Sequence, residues 1–296
     1  MKTAAFTLAF AATALASAPS TAGTSWKKTL FLDDFTGGSG AAPDSSKWIV
    51  QTGTSYPGGA PQWGTGEVET YTASGNNVRQ AGNGELWIIP QKSSSGAWTS
   101  GRIETRQNNF VAPAGGKLRV EARIKMPDVT SANGIGYWPA FWALGGAFRG
   151  NYTNWPFVGE LDIMENISGQ DTVTEVMHCD KNPGGACNEP SGIGNQASCS
   201  GSRCPGNYHI YEMVIDRTTS PESIKFWLDR NLKYTIKSSQ FTSTIWNQSV
   251  NRGFYLVLNV AMGGAYPNAV YGQTTPIAST VSGKQMAVDY VAVWST

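Results

Sequence analysis

Short runs of alternating apolar and polar residues recur along the chain, separated by clusters of Gly, Pro, Asn, Asp and Ser. Successive side chains on a strand point to opposite faces, so a period of two marks a half-buried strand. The pattern predicts strands over 29–35, 86–91, 101–106, 117–125, 138–144, 159–167, 172–178, 208–216, 223–229, 233–236, 254–261 and 287–294. The 3.6-residue period of helices is nearly absent beyond the amino-terminal segment. Many evenly spaced strands joined by turn residues predict an all-β sandwich. No Pro/Ser/Thr linker, charge block or internal repeat divides the 296 residues, so residues 23–296 read as one domain.

The first 22 residues have a different pattern. Lys2 precedes an apolar stretch from Ala4 to Ala16, with small-residue cleavage options at Ala16, Ala18 or Ala22. That is the pattern of a secretory signal peptide, too short to cross a bilayer as a mature helix. Removal of Lys2 leaves 21 basic against 21 acidic residues. A neutral chain gives no reason to expect a nucleic-acid or membrane partner. Only 15% of residues are charged, while 34 Gly and 11 Trp suit a loop-rich β-protein with aromatic platforms. Cys179, Cys187, Cys199 and Cys204 fall in one Gly/Asn/Pro/Ser-rich stretch. In a secreted chain four cysteines predict two disulfides, in any of three connectivities, and their spacing matches no zinc template. Asn151, Asn166 and Asn247 open N-glycosylation sequons, and Asn166 is expected to point away from its acidic neighbours.

The candidate chemistry lies in residues 155–167, WPFVGELDIMENI. Glu160 and Asp162 share a strand face, whereas Glu165, five residues after Glu160, would turn away on a regular strand. One β-bulge near Ile163 and Met164 would return Glu165 to the acidic face. Three like charges on one face of an apolar strand are costly and raise one another's proton affinity. A solvated acidic face and a calcium cluster are two readings. The third is a glycosidase pair, one carboxylate attacking the anomeric carbon and another protonating the leaving oxygen. Four effective strand steps span about 13 Å. Two Glu side chains leaning together close much of that toward the roughly 5–5.5 Å of a retaining pair.

GELDIME resembles the bulged E-x-D-x-x-E signature of family 16 glycoside hydrolases, in the form found in laminarinases (endo-β-1,3-glucanases). YWPAFWALG (137–145), TSGRIETR (99–106), KLRVEARIKMP (117–127), FYLVLNVAMGG (254–264) and VDYVAVW (288–294) are similar to further strands of that family. The resemblance implies a β-jelly-roll of two antiparallel sheets, the concave one carrying the cleft. It implies Glu160 as nucleophile, Glu165 as acid and then base, and Asp162 as the residue tuning their proton balance. Sugar faces stack on aromatic rings, and Trp138, Trp142 and Trp155 are the candidates, with core packing the alternative for each. His178 matches a family histidine on the leaving-group side, a buried structural histidine being the other reading. Asn77 and Arg102 match positions that bond sugar hydroxyls, although a surface salt bridge also suits Arg102. Tyr266 stands where many laminarinases have Trp. Glu212 falls in a strand commonly apolar in the family. Asp34 and Asp289 match a structural calcium site, with no cofactor expected for catalysis. The implied activity is that of a secreted, monomeric, retaining endo-glucanase on β-1,3 or mixed-linkage β-glucan. A transglycosylase on the same fold and a noncatalytic glucan-binding lectin are the alternatives.

Overall fold

The computed structural model describes residues 18–19 and 24–296. The expected signal peptide over 1–22 lies outside the described residues but for Ala18 and Pro19. Two antiparallel sheets of eight and seven strands face each other, with a small three-stranded sheet beside them. The eight-stranded sheet is built around Lys117–Lys125, flanked by Tyr208–Asp216 and Met286–Ser295. In the seven-stranded sheet the order from one edge is Ile193–Ala197, Val173–His178, Glu160–Glu165, Tyr137–Gly145, Phe254–Met262, Arg102–Thr105 and Trp48–Gln51. This is the expected jelly-roll.

Alternation explains which face of each strand is inside. In Lys117–Lys125, Leu118, Val120, Ala122 and Ile124 enter the core, while Arg119, Glu121 and Arg123 face outward. Phe141, Ala143, Leu256, Leu258 and Val260 meet them from the other sheet. Burying each Leu, Ile or Phe contributes about 1.5–3 kcal/mol, which sets every strand's register. Glu212, odd by the family's pattern, faces outward opposite Glu121. Arg119 at 2.9 Å and Arg230 at 2.8 Å neutralise it.

Four features depart from the sequence expectation. Ile193–Ala197 lies in the cysteine-rich stretch yet forms an edge strand on Val173–His178. Its IGNQA sequence has little β-propensity, and pairing together with the packing of Ile193 and Ala197 on the core holds it. Two seven-residue helices, Ser243–Ser249 and Ala265–Tyr271, occupy connections. The run 86–91 is two short strands, Leu86–Ile88 and Gln91–Lys92, with Pro90 between them. Asn166 is 2% exposed and its Nδ2 donates at 2.7 Å to both Gln170 O and Thr172 O. That nitrogen is unavailable to a glycan, which corrects the sequon reading there. The cysteines pair as Cys179–Cys187 and Cys199–Cys204.

Candidate active site

One irregularity organises the concave face. Trp142 pairs with Asp162 but Phe141 pairs with Met164, leaving Ile163 as an extra residue. The register on the opposite neighbour also shifts, between Asp162 and Glu165. Leu161, Ile163 and Met164 all enter the core, so two consecutive side chains point inward and the strand's parity resets. Glu160, Asp162 and Glu165 consequently line one cavity of about 330 Å³. The apolar residues of the motif thus make the bulge worth keeping.

The trio is short of positive charge. Among the described residues no Lys or Arg pairs with any of the three, and the nearest cation is His178, with Nε2 3.3 Å from Asp162 Oδ2. Burial, and then the Asp162 charge, pushes Glu160 and Glu165 each up to about 8. Trp138 Nε1 donates to Glu165 Oε1 at 2.7 Å and favours its ionised form. Burial alone would make His178 less basic. The neighbouring Asp162 and Glu189 carboxylates instead raise its proton affinity well above the ordinary value. Such an arrangement can hold a proton on one carboxyl while a neighbour stays charged.

Aromatic rings form the walls. Trp138, Trp142 and Trp155 all line the cavity. Trp142 Nε1 donates to Asn259 Oδ1 at 2.8 Å, Asn259 Nδ2 to Tyr71 Oη at 3.0 Å, and Tyr71 Oη to Glu67 at 2.6 Å. Arg102 is 3% exposed, so its pair with Glu104 is no surface salt bridge. Its guanidinium sits over Trp63 at 4.6 Å and Trp142 at 4.9 Å, with its edge on the cavity. Tyr266 packs edge-on against Trp138 at 5.9 Å and is not among the residues lining the cavity.

Two expected assignments are corrected. Asn77 is buried and its amide is spent internally: Nδ2 donates to Ile89 O and Thr99 Oγ1, and Oδ1 accepts from Thr72. It pins loops and does not line the cavity. Asp34 and Asp289 do not fit a calcium ion. Arg123 holds Asp289 at 2.8 Å, so that carboxylate is already committed to a cation of the protein itself. Among the described residues no cluster of three acidic, His or Cys ligands includes either.

Sequence reasoning missed other residues of the site. Asn259 is the lone polar residue in FYLVLNVAM, and Glu67 alternates with Glu69 and Tyr71 in GEVETY. Those breaks in pattern were readable. Tyr56, Trp63 and Tyr152 arrive on loops without period. Glu189 lies in the cysteine-rich stretch and carried no signal of its own.

Comparison with known proteins agrees with this geometry. Residues 116–204 match the family model described as XgeA-like, catalytic GH16 domain. The crystal structure of an endo-1,3-β-glucanase from Streptomyces sioyaensis is 52% identical, covering 94% of this chain and 99% of that one, with TM-score 0.91. An endo-β-1,3-glucanase from Pyrococcus furiosus is 29% identical over 91% of this chain and 94% of that one, with TM-score 0.72. The glucan endo-1,3-β-glucosidase A1 of Niallia circulans is 31% identical over 90% of this chain, which spans 37% of that protein's length. With half its residues shared with the Streptomyces sioyaensis enzyme over nearly the whole of both, the chain belongs to glycoside hydrolase family 16.

Proposed function

We propose that this chain is a retaining endo-β-glucanase that hydrolyses internal β-1,3 bonds, alone or within mixed-linkage β-glucan. Glu160 attacks the anomeric carbon, and the bond to the leaving glucosyl oxygen breaks as Glu165 gives that oxygen its proton. Glu165, now ionised, takes a proton from water, whose oxygen bonds the anomeric carbon and releases Glu160. Atoms and charge balance over the two steps without a cofactor. Asp162 stands between the two and shares their proton balance. Trp138, Trp142 and Trp155 offer stacking faces to pyranose rings, and Arg102 offers donors to hydroxyls. The reading includes export through a signal peptide over residues 1–22, one catalytic domain over 23–296, and action as a monomer.

The convergence of three carboxylates on one aromatic-lined cavity carries this reading. The names of the relatives support β-1,3-glucan as the substrate. The test is ¹H NMR of laminarin during the first minutes of reaction. Fresh β-anomer ends that later mutarotate are expected. Fresh α-anomer would contradict retention, and intact laminarin would favour a lectin.

A further inference from the structure

The loop closed by the Cys179–Cys187 bond begins immediately after His178 and folds back onto it. Glu189, near its far end, is 4% exposed, and both its carboxylate oxygens are engaged. Oε1 accepts the Cys179 N–H at 2.8 Å, and Oε2 lies 2.7 Å from His178 Nδ1. Gly192 then closes against the ring: a Cβ there would fall 2.9 Å from His178 Cε1 and 2.3 Å from Val176 Cγ1. The Trp155 ring lies beyond, 5.6 Å from the imidazole centroid. The ring's other nitrogen faces Asp162 Oδ2 at 3.3 Å. A carboxylate beside each ring nitrogen favours the imidazole that carries both protons.

We propose that Glu189 is a positioning residue, whose carboxylate holds His178 as an imidazolium against Asp162. The inference rests on the glycosidase reading above, where Glu160 must be ionised beside Asp162. The charged groups facing the ring are Glu160 and Asp162 on the neighbouring strand and Glu189 on the loop, with Glu165 further along the strand. All four are acids, and the imidazolium is the cation set among them. Capping of the Cys179 N–H by Glu189 would serve loop structure alone, and this rival predicts no effect on the imidazole's charge.

The chain has only two histidines, so ¹⁵N NMR of the full protein resolves His178 from His209. In the wild type His178 is expected to keep both ring protons well above the ordinary imidazole midpoint. In Glu189→Gln, whose amide oxygen can still accept the Nδ1 proton, the midpoint falls by about one pH unit or more. Turnover of laminarin at pH 7 is expected to fall about tenfold with KM within about twofold, the loss deepening as pH rises through the variant's His178 midpoint. A neutral His178 at pH 7 in the wild type would overturn the proposal, as would an unchanged titration in the variant. Should Glu189→Gln fail to fold, Glu189→Asp, whose shorter side chain draws the carboxylate back from Nδ1, is titrated instead, and a His178 midpoint unchanged there overturns the proposal. If the wild type leaves laminarin intact, the glycosidase reading fails, while the titration still reports on the Glu189–His178 pair.

Discussion

Two groups of buried acids lie on opposite faces of the sandwich, and only one of them has arginines. On the outer face Glu121 and Glu212 oppose each other across neighbouring strands. Arg119 and Arg230 each bond both, and Tyr290 Oη donates to Glu121. Against the effect of burial, the guanidiniums hold Glu121 below the ordinary carboxylate range, though burial still lifts Glu212. On the concave face Glu160 and Glu165 have no such partner and rise to about 8. Placed beside fixed cations, a glutamate becomes a strut. Without them, the same residue type becomes a place to hold and release a proton.

Substitution should separate the two groups sharply. Glu160→Gln and Glu165→Gln are each expected to lower kcat on laminarin by about 10³-fold or more. Neither should lower Tm at pH 7, because ionised Glu160 and Glu165 are themselves a cost to the fold. Their folded pKa lies above the ordinary 4.5, so the contribution of these two groups to stability is fully present at low pH and is lost as pH rises from about 4.5 toward 8. Calorimetry at pH 7 should show each Gln variant melting a few degrees above the wild type. The outer face should behave in the opposite sense. Arg119→Ala leaves the two buried carboxylates sharing Arg230 alone and costs about 2 kcal/mol in denaturant unfolding. Its kcat/KM per folded molecule should be unchanged.

A third prediction concerns pH. Glu165 holds its proton below its raised pKa and gives it up as pH rises, so kcat/KM should fall above about pH 8. The smallest expected effect sharpens that one. Trp138→Phe removes the N–H that favours ionised Glu165, so the alkaline limb should move upward by a fraction of a unit. Turnover should fall by about tenfold or less. A pH–rate profile of the variant against the wild type measures both.

The comparison also shows how far the sequence could be read. The concave face was legible because GELDIME mixes two incompatible signals. Leu161, Ile163 and Met164 cannot all be buried on a regular strand, and a bulge resolves the conflict while gathering the acids. The sandwich followed from alternation, as in Leu118 to Ile124. The walls of the site were less legible. Trp63, Tyr56 and Glu189 reach it on loops whose course is set by contacts far away in the chain. Asn77 misled for a related reason, since a polar residue beside a cleft reads the same whether it faces sugar or, as here, three loop partners. The arginine pairs outside were invisible for another reason. Glu121 and Arg230 are 109 residues apart, and no local pattern joins them.

The account turns on Glu160 being the group that bonds the sugar, and trapping that bond tests it most directly. The reagent is a 2-deoxy-2-fluoro laminaribioside with a dinitrophenolate leaving group. Its fluorine slows both steps, and its leaving group keeps the first fast enough for the glycosyl-enzyme to accumulate. Digestion and mass spectrometry should then place one added disaccharide on the peptide containing residues 155–167, at Glu160. A label on Asp162 or Glu165, or an active enzyme that never acquires one, would contradict it.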